Sequence, residues 1–345
     1  MKGKGTRRVR VIASALLMVC LVVVIASSGT VAAQSAPDCT DVSYTTDSGG
    51  NYEVTNVNQL QCMGNEDTST SLSDSFVLTQ DIDASGTASW NGGGFDPVGD
   101  SSGPFTAFTG TFDGRDYVVE GLYIDRSSET EVGLFGFVDT DGEVHNVGVV
   151  DADVSDSDRA GGLVGYNEGT VEDSYVTGSV SGGDRVGGLV GLNQGIVRGS
   201  YSEVGVSGSG REVGGLVGYN FEGSPEKPYA TVEESYATGD VSGGNRVGGL
   251  VGYAISFGDG GNVTESYATG TVTASGDSVG GLVGVVSDAV VEDSYATGDV
   301  SSSGNNVGGL VGDNGGTVSS SYWDEDTTGQ TSSAGGTGLT TREMK

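Results

Sequence analysis

Catalytic chemistry in this chain is limited first by its single histidine, His145. One histidine cannot supply the His-Glu-x-x-His pair of a zinc protease. It also leaves Ser-His and Cys-His nucleophilic catalysis without support. Followed by Asn146, His145 reads as a surface residue at a corner of the chain. Carboxylates are the other chemical resource. Glu172/Asp173, Glu233/Glu234 and Glu292/Asp293 recur at one repeat position, where Glu265 is a single acid and Arg198-Gly199 and Ser319-Ser320 interrupt the series. Neighbouring residues of a strand point to opposite faces, so such a pair cannot flank one glycosidic bond as a glycosidase requires. A column of acids repeating every ~4.8 Å repels itself unless it is screened or bridged by cations. A solvated acidic surface is the favoured reading, with structural Ca²⁺ or another cation as its alternative. Asp139-Thr140-Asp141-Gly142-Glu143 matches half of a Ca²⁺ loop and lacks the rest of the twelve-residue pattern. No catalytic residue, metal ligand or cofactor is therefore assigned.

The elements that would position any site come from a repeat. Gly-Gly-Leu-Val-Gly begins at Gly161, Gly187, Gly214, Gly248, Gly280 and Gly308, with a degenerate copy at Val132-Gly133-Leu134-Phe135-Gly136. The successive spacings are 26, 27, 34, 32 and 28 residues. Each unit carries a Ser-Tyr downstream, at Tyr175, Tyr201, Tyr236, Tyr267, Tyr295 and Tyr322. Val-, Thr- and Tyr-rich pieces of this length favour strands. The intervening Asn-Gly, Thr-Gly and Ser-Gly-Gly steps are expected to supply the positive φ angles of corners. Identical side chains at one period are what a solenoid demands, since each coil rests on a copy of itself. A propeller blade needs ~40 residues. The sequence therefore predicts an all-β parallel β-helix, right-handed by the general preference of parallel crossovers. Val186 and Leu189 are three apart and cannot both point inward from a straight strand. A bend at the Gly-Gly step is preferred. The tyrosines read as a buried structural column rather than an exposed ladder for sugar stacking.

Two units are longer than the rest. From the first Gly of each motif to the next Ser-Tyr serine the separations are 13, 13, 21, 18, 14 and 13. The third unit thus gains residues around Phe221 to Pro228, and the fourth around Ala254 to Gly261. Both insertions occupy one position in adjacent coils, so they should protrude side by side, and loops on a regular scaffold are where binding resides. Phe221, Glu222, Lys227, Tyr229, Phe257 and Asp259 are the candidate ligand contacts. Asn262-Val263-Thr264, directly after the second insertion, is a glycosylation sequon at Asn262.

Composition sets the surroundings. Of 345 residues 63 are Gly and 5 are Pro, without the strict period of collagen. Five of the 15 bases lie in the first ten residues, so from Asp38 onward ten bases face 47 acids, net −37. Such a surface repels itself at low salt, whereas at ~1 M salt the Debye length falls to about 3 Å. A halophilic, acidic protein is the reading, and nucleic acid and anionic membranes are poor partners. The first 33 residues read as a signal peptide: a basic stretch through Arg10, an apolar run from Val11 to Ala26, and a small-residue site ending Val31-Ala32-Ala33. The run is shorter than the ~20 residues of a spanning helix, and no second apolar span follows. Cys20 falls within the signal, leaving Cys39 and Cys62 as an even pair expected to form a disulfide in an exported chain.

The organisation expected is therefore a signal peptide at 1–33, an N-terminal cap with the first coils at 34–130, the repeat helix at 131–322, and a polar Gly-rich segment at 323–345. That last segment either covers the final coil or marks a chain that continues. Within the cap, 51–63 reads as a strand and a short capped helix, and Phe76-Val77-Leu78 and Tyr117-Val118-Val119 as further strands. The Gly-Gly-Leu-Val-Gly and Ser-Tyr-x-Thr-Gly strings, with Phe108-Thr109-Gly110-Thr111-Phe112-Asp113-Gly114 ahead of them, resemble the GLUG-motif family of surface proteins. The resemblance covers roughly 50–345 and implies extracellular β-helical proteins, often parts of adhesins or of immunoglobulin A protease-like metallopeptidases. The missing histidines exclude the peptidase chemistry here. The function expected is a secreted or cell-surface, non-enzymatic, adhesin-like binding module. Its partners would be cell-envelope glycans or surface proteins. A structural envelope component without a ligand, and a polysaccharide-degrading enzyme, are the alternatives.

Overall fold

A computed structural model describes residues 35–103, 106–156, 158–223, 230–258 and 260–345; the targeting segment read at 1–33 lies outside them. Each repeat is one coil of a parallel β-solenoid. A coil enters through a short Val-Gly strand, such as Val186–Gly187, and bends at Gly188-Leu189. It then runs through Val190–Asn193 and Ile196–Arg198, turns, and returns along Tyr201–Gly208. Stacking these coils gives sheets of 16, 14 and 7 strands among the described residues. Like stacks on like through successive coils: Val171 on Val197 on Val232 on Val263, and Tyr175 on Tyr201 on Tyr236 on Tyr267.

The bend at the Gly-Gly step lets both apolar columns face inward. Val186, Leu189 and Val190 are all fully buried, as are Val213, Leu216 and Val217 one coil on. Each fully buried Val or Leu contributes roughly 1.5–3 kcal/mol, so the column of one coil against the next outweighs the weak strand pairing of a lone repeat.

The Thr-Gly and Ser-Gly-Gly steps of the repeats mostly lack the positive φ expected of them, Gly178 at φ 117° excepted. Most corners with positive φ are held by other residues: Asn146, Asp173, Glu234, Glu265 and Asp293 on one edge, Arg185, Glu212, Arg246, Ser278 and Asn306 on another. The motif glycines are there for room. A Cβ on Gly187 would stand 2.0 Å from the Val190 carbonyl oxygen and 2.7 Å from Gly218 N. Only a residue without a side chain lets the entering strand and the strand after the bend come together.

Two buried polar ladders satisfy the corners. Directly after the positive-φ residue sits a serine: Ser174, Ser200, Ser235, Ser266, Ser294 and Ser321, each at most 2% exposed. Each hydroxyl donates to the carbonyl two residues back, as Ser235 Oγ does to Glu233 O at 2.7 Å, and accepts the N–H at the same position of the preceding coil, Ser200 N at 3.2 Å for Ser235 and Val147 N at 3.3 Å for Ser174. Asn167, Asn193 and Asn220 form the second ladder: Asn167 and Asn193 each donate to the next side-chain oxygen at 2.8 Å, and Asn220 donates to the Asn262 carbonyl at 3.3 Å. Buried polar groups persist when fully bonded, and these columns link each coil to the next.

The tyrosine of Ser-Tyr is not a core residue. Its column lies on the outer surface, half-exposed, while Val176, Ser202, Ala237, Ala268 and Ala296 beside it face inward. The column is still structural: from Tyr175 to Tyr295 successive rings stack with centroids 4.8–5.0 Å apart and planes within 3–5°. Ring faces are covered by ring faces, so only edges and hydroxyls meet solvent. Burial pushes these phenols up, Tyr236 to about 12.

The ends differ from the middle. At the N-terminal end, strand Thr45–Thr46 pairs antiparallel with Tyr52–Val54, which begins the parallel stack through Ser75–Leu78. Asn56 caps helix Val57–Gln61, and the Cys39–Cys62 disulfide joins its C-terminus to the segment before the first strand. Tyr44, Tyr52, Phe76 and Phe108 fill the space beneath. At the other end Trp323, 6% exposed, replaces the alanines of its column and donates to Gln330 O at 3.0 Å. Strand Thr337–Leu339 then pairs on Tyr322–Asp324, and Ser332 and Ala334 bond to the edge at Gly309 and Val311. Residues 322–339 thus lie across the final coil.

Candidate functional site

The two insertions leave the scaffold where Val217–Phe221 and Val251–Ile255 end as parallel neighbours, Phe221 opposite Ile255. Of the six candidate contacts, Phe221, Glu222 and Phe257 are described; Lys227, Tyr229 and Asp259 lie outside the described residues. Phe257 is 64% exposed, the largest exposure of any large apolar side chain described. Its ring meets Phe221 edge-on at 5.7 Å, Phe221 stacks on Tyr219 at 5.2 Å, and Tyr219 stacks on Tyr253 at 5.2 Å. The sequence pairing of the insertions thus becomes one aromatic cluster that ends in an open ring.

Glu222 has a different place from that of a ligand contact. It is 1% exposed, and its Oε2 accepts the Ser256 hydroxyl at 2.9 Å and the Phe257 N–H at 2.7 Å. Burial by itself would raise its pKa. The hydrogen bonds from Ser256 and Phe257, with the N–H groups of Gly260 and Gly258, outweigh that and hold the carboxyl below its usual range. Glu222 is a clamp: one insertion grips the backbone of the next and fixes the angle at which Phe257 projects. Asn262 belongs to strand Asn262–Thr264, and its side-chain oxygen accepts Val290 N at 3.0 Å, so the sequon lies within the ladder rather than on a free loop.

Beside the cluster runs a charged column that sequence reasoning missed. The residue before each Val-Gly step is Glu131, Arg159, Arg185, Glu212 and Arg246 in successive coils. Arg159 pairs with Glu131, Arg185 with Asp158 at 3.0 Å and Glu212 at 3.3 Å, and Arg246 with Glu212 at 2.7 Å. Their guanidinium groups lie over Tyr166, Tyr219 and Tyr253 at 5.5, 6.0 and 4.9 Å. The signal was present as Arg or Glu before the motif and Tyr directly after it. Arg198, which breaks the acidic series, also proves to be a counterion: it bridges Glu172 at 3.6 Å and Glu233 on the coils either side. Glu172 and Glu233 lie on strands, while Asp173 and Glu234 take the positive-φ corner. Half-buried His145 ends strand Glu143–His145, 3.6 Å from Asp113, with Asn146 at the corner. Among the described residues no three His, Cys, Asp or Glu side chains converge as a metal site would need. No helix of the described residues is long and apolar enough to cross a membrane.

Comparison with known proteins agrees with this geometry. Residues 156–181, 209–242, 243–273 and 275–301 match the GLUG motif. Over 131 residues, 37% of this chain, the sequence is 40% identical to halomucin of Haloquadratum walsbyi. Over 100 residues, 28% of the chain, it is 32% identical to an Evansella cellulosilytica protein described as a Gly-rich membrane protein. The matches span 1% and 11% of those proteins, so both are far longer than the region shared. The fold resembles the crystal structure of a Bacteroides ovatus protein proposed to be an immunoglobulin A1 protease, with TM-score 0.56 and 22% identity over 79% of this chain and 85% of that one. At that identity the likeness speaks to the fold alone. Four segments of this solenoid thus carry the GLUG motif.

Proposed function

We propose that this chain is a secreted or cell-surface binding module, adhesin-like and without enzymatic activity, that works in high salt and contacts its ligand through the paired insertions. Its partners are cell-envelope glycans or surface proteins. The observation that carries this reading is Phe257, an open aromatic ring at the end of an aromatic cluster, its backbone held by its neighbour's buried carboxylate. In molar salt, charge attraction between surfaces is screened to about 3 Å, while apolar contact keeps its strength. A ring held at a fixed angle also loses little entropy on binding. Kinship to halomucin over part of the chain supports a surface location, and the leader-like first 33 residues support export.

The test is a pull-down of cell envelopes and purified polysaccharides in ~3 M KCl, comparing the wild type with Phe257→Ser and with a variant lacking both insertions. Loss of capture by both folded variants supports the recognition module. Undiminished capture refutes it and moves the chain to a structural envelope role, in which the insertions are length variation.

A further inference from the structure

The Arg–Tyr column stops short of the last coils, and where it stops a groove opens. Through five coils the outer notch beside the motif is filled by long side chains, Glu131, Arg159, Arg185, Glu212 and Arg246, against Phe137, Tyr166, Leu192, Tyr219 and Tyr253. In the next two coils the corresponding residues are Ser278 and Asn306, against Val285 and Asp313. The space left is a groove of about 380 Å³ lined by Arg246, Tyr253, Ser278, Val285, Asp313 and Asn314, among others. It adjoins the second insertion directly, since Ile255 pairs with Ser287 of the groove and Ser256 N donates to Ser287 O at 3.0 Å.

We propose that this groove is a subsite for one residue of a neutral, hydroxyl-rich glycan, an inference that rests on the binding-module reading above. The argument is one of complementary donors and acceptors. Arg246 only donates and Asp313, as a carboxylate, only accepts. A cationic ligand meets the Arg246 guanidinium, and an anionic one meets Asp313. A sugar hydroxyl both donates and accepts, so hydroxyls spaced around one ring match Asp313 on one side and, on the other, the Arg246 N–H groups left over by the Glu212 pair, with Ser278 as a further partner. Val285, in the place of the earlier tyrosines, gives the groove an apolar wall for the C–H face of a pyranose, beside the Tyr253 ring that already meets Tyr219 and Arg246. Neutral recognition also suits the medium, because molar salt weakens an ion pair far more than a hydrogen bond in a groove.

The chain supplies its own plug for the test. Ser278 has φ 62°, and the equivalent Arg185 and Arg246 have φ 53° and 55°, so Ser278→Arg keeps the corner while filling the groove as the earlier coils do. Binding of neutral hexasaccharides (β-1,4-glucose, α-1,4-glucose and N-acetylglucosamine) is measured by calorimetry in ~2 M KCl, with polygalacturonate and octa-arginine as charged probes. The inference expects a neutral hexasaccharide to bind, and Ser278→Arg and Asp313→Ala each to weaken it at least about tenfold with unfolding unchanged. Absence of neutral binding, binding of the charged probes alone, or binding that Ser278→Arg leaves intact would each overturn it. If Phe257→Ser abolishes envelope capture while no hexasaccharide binds, the groove inference falls and the binding-module reading stands.

Discussion

Replacing Gly214 by Ala isolates what the motif glycines do. A Cβ there would lie 2.1 Å from Val217 O, 2.7 Å from Leu250 O and 2.8 Å from Gly252 N. All three are backbone atoms, so no rotamer change relieves the clash. Contacts of this kind relax at roughly 3.5 Å, and the corner must open by more than an ångström, pulling Val213, Leu216 and Val217 out of register with the neighbouring coils. Overpacking a tight core costs typically 1–3 kcal/mol, and three simultaneous backbone contacts put Gly214→Ala at about 3 kcal/mol or more. Gly205 is the control: it lies on strand Tyr201–Gly208 with no atom within 4 Å of its added Cβ. Gly205→Ala should be neutral or stabilising by up to ~1 kcal/mol, since it restricts the unfolded chain and adds a strand-compatible side chain. Urea unfolding in ~3 M KCl, followed by circular dichroism, reads both variants. Equal stability of the two within ~0.5 kcal/mol would refute the claim that the motif glycines serve close approach.

Three further outcomes follow from the same geometry. Ser235→Ala removes an acceptor from Ser200 N in a buried corner; it should cost about 1–3 kcal/mol, with faster amide exchange confined to the neighbouring coils, and unchanged exchange at Ser200 would contradict the serine ladder. Glu222 has a folded-state pKa below its unfolded value, so its clamp contributes above pH ~4.3 and is lost as pH falls through the folded value. Intrinsically corrected amide exchange at Phe257 should therefore stay low from neutral pH down past the ordinary carboxylate value of ~4.3 and rise only as pH falls through the lower folded value, while Glu222→Gln should remove that pH dependence; a wild type whose exchange already rises above pH ~4.3, or that matches Glu222→Gln at every pH, would sink the clamp. With ten bases against 47 acids from Asp38 onward, stability should fall steeply on dialysis from ~3 M to ~0.1 M KCl, and a thermal midpoint indifferent to salt would count against the halophilic reading.

The architecture was legible because a solenoid writes its core as a period. Val171, Val197, Val232 and Val263 recur in sequence because they touch in space, and the three-residue gap from Val186 to Leu189 left a choice between a bend and a column facing solvent, of which the bend was preferred and is found. The corner glycines of the Thr-Gly steps were misread because glycine is favoured both for positive φ and for close approach, and only coordinates separate the two: a Cβ on Gly239, Gly270 or Gly298 would meet backbone at 1.9, 1.9 and 1.8 Å. Here the strained corners went to Asp, Glu, Arg and Asn. The tyrosines were half legible: repetition shows that a column stacks, but not which side of the sheet it stands on. At the site, the insertion lengths located the aromatic cluster. Glu222 looked like a surface charge because a carboxylate beside a loop gives no sign of which N–H groups will surround it. Arg198 looked like a gap in an acidic series and is the bridge that joins its neighbours.

The most direct test of the central claim is the salt dependence of envelope capture by the wild type between ~0.5 and ~3 M KCl. Recognition through Phe257 and its aromatic neighbours predicts capture that holds or strengthens as salt rises, and that Phe257→Ser abolishes at every salt concentration. Capture that decays with salt and is indifferent to Phe257 would mean that the acidic surface, and not the paired insertions, makes the contact.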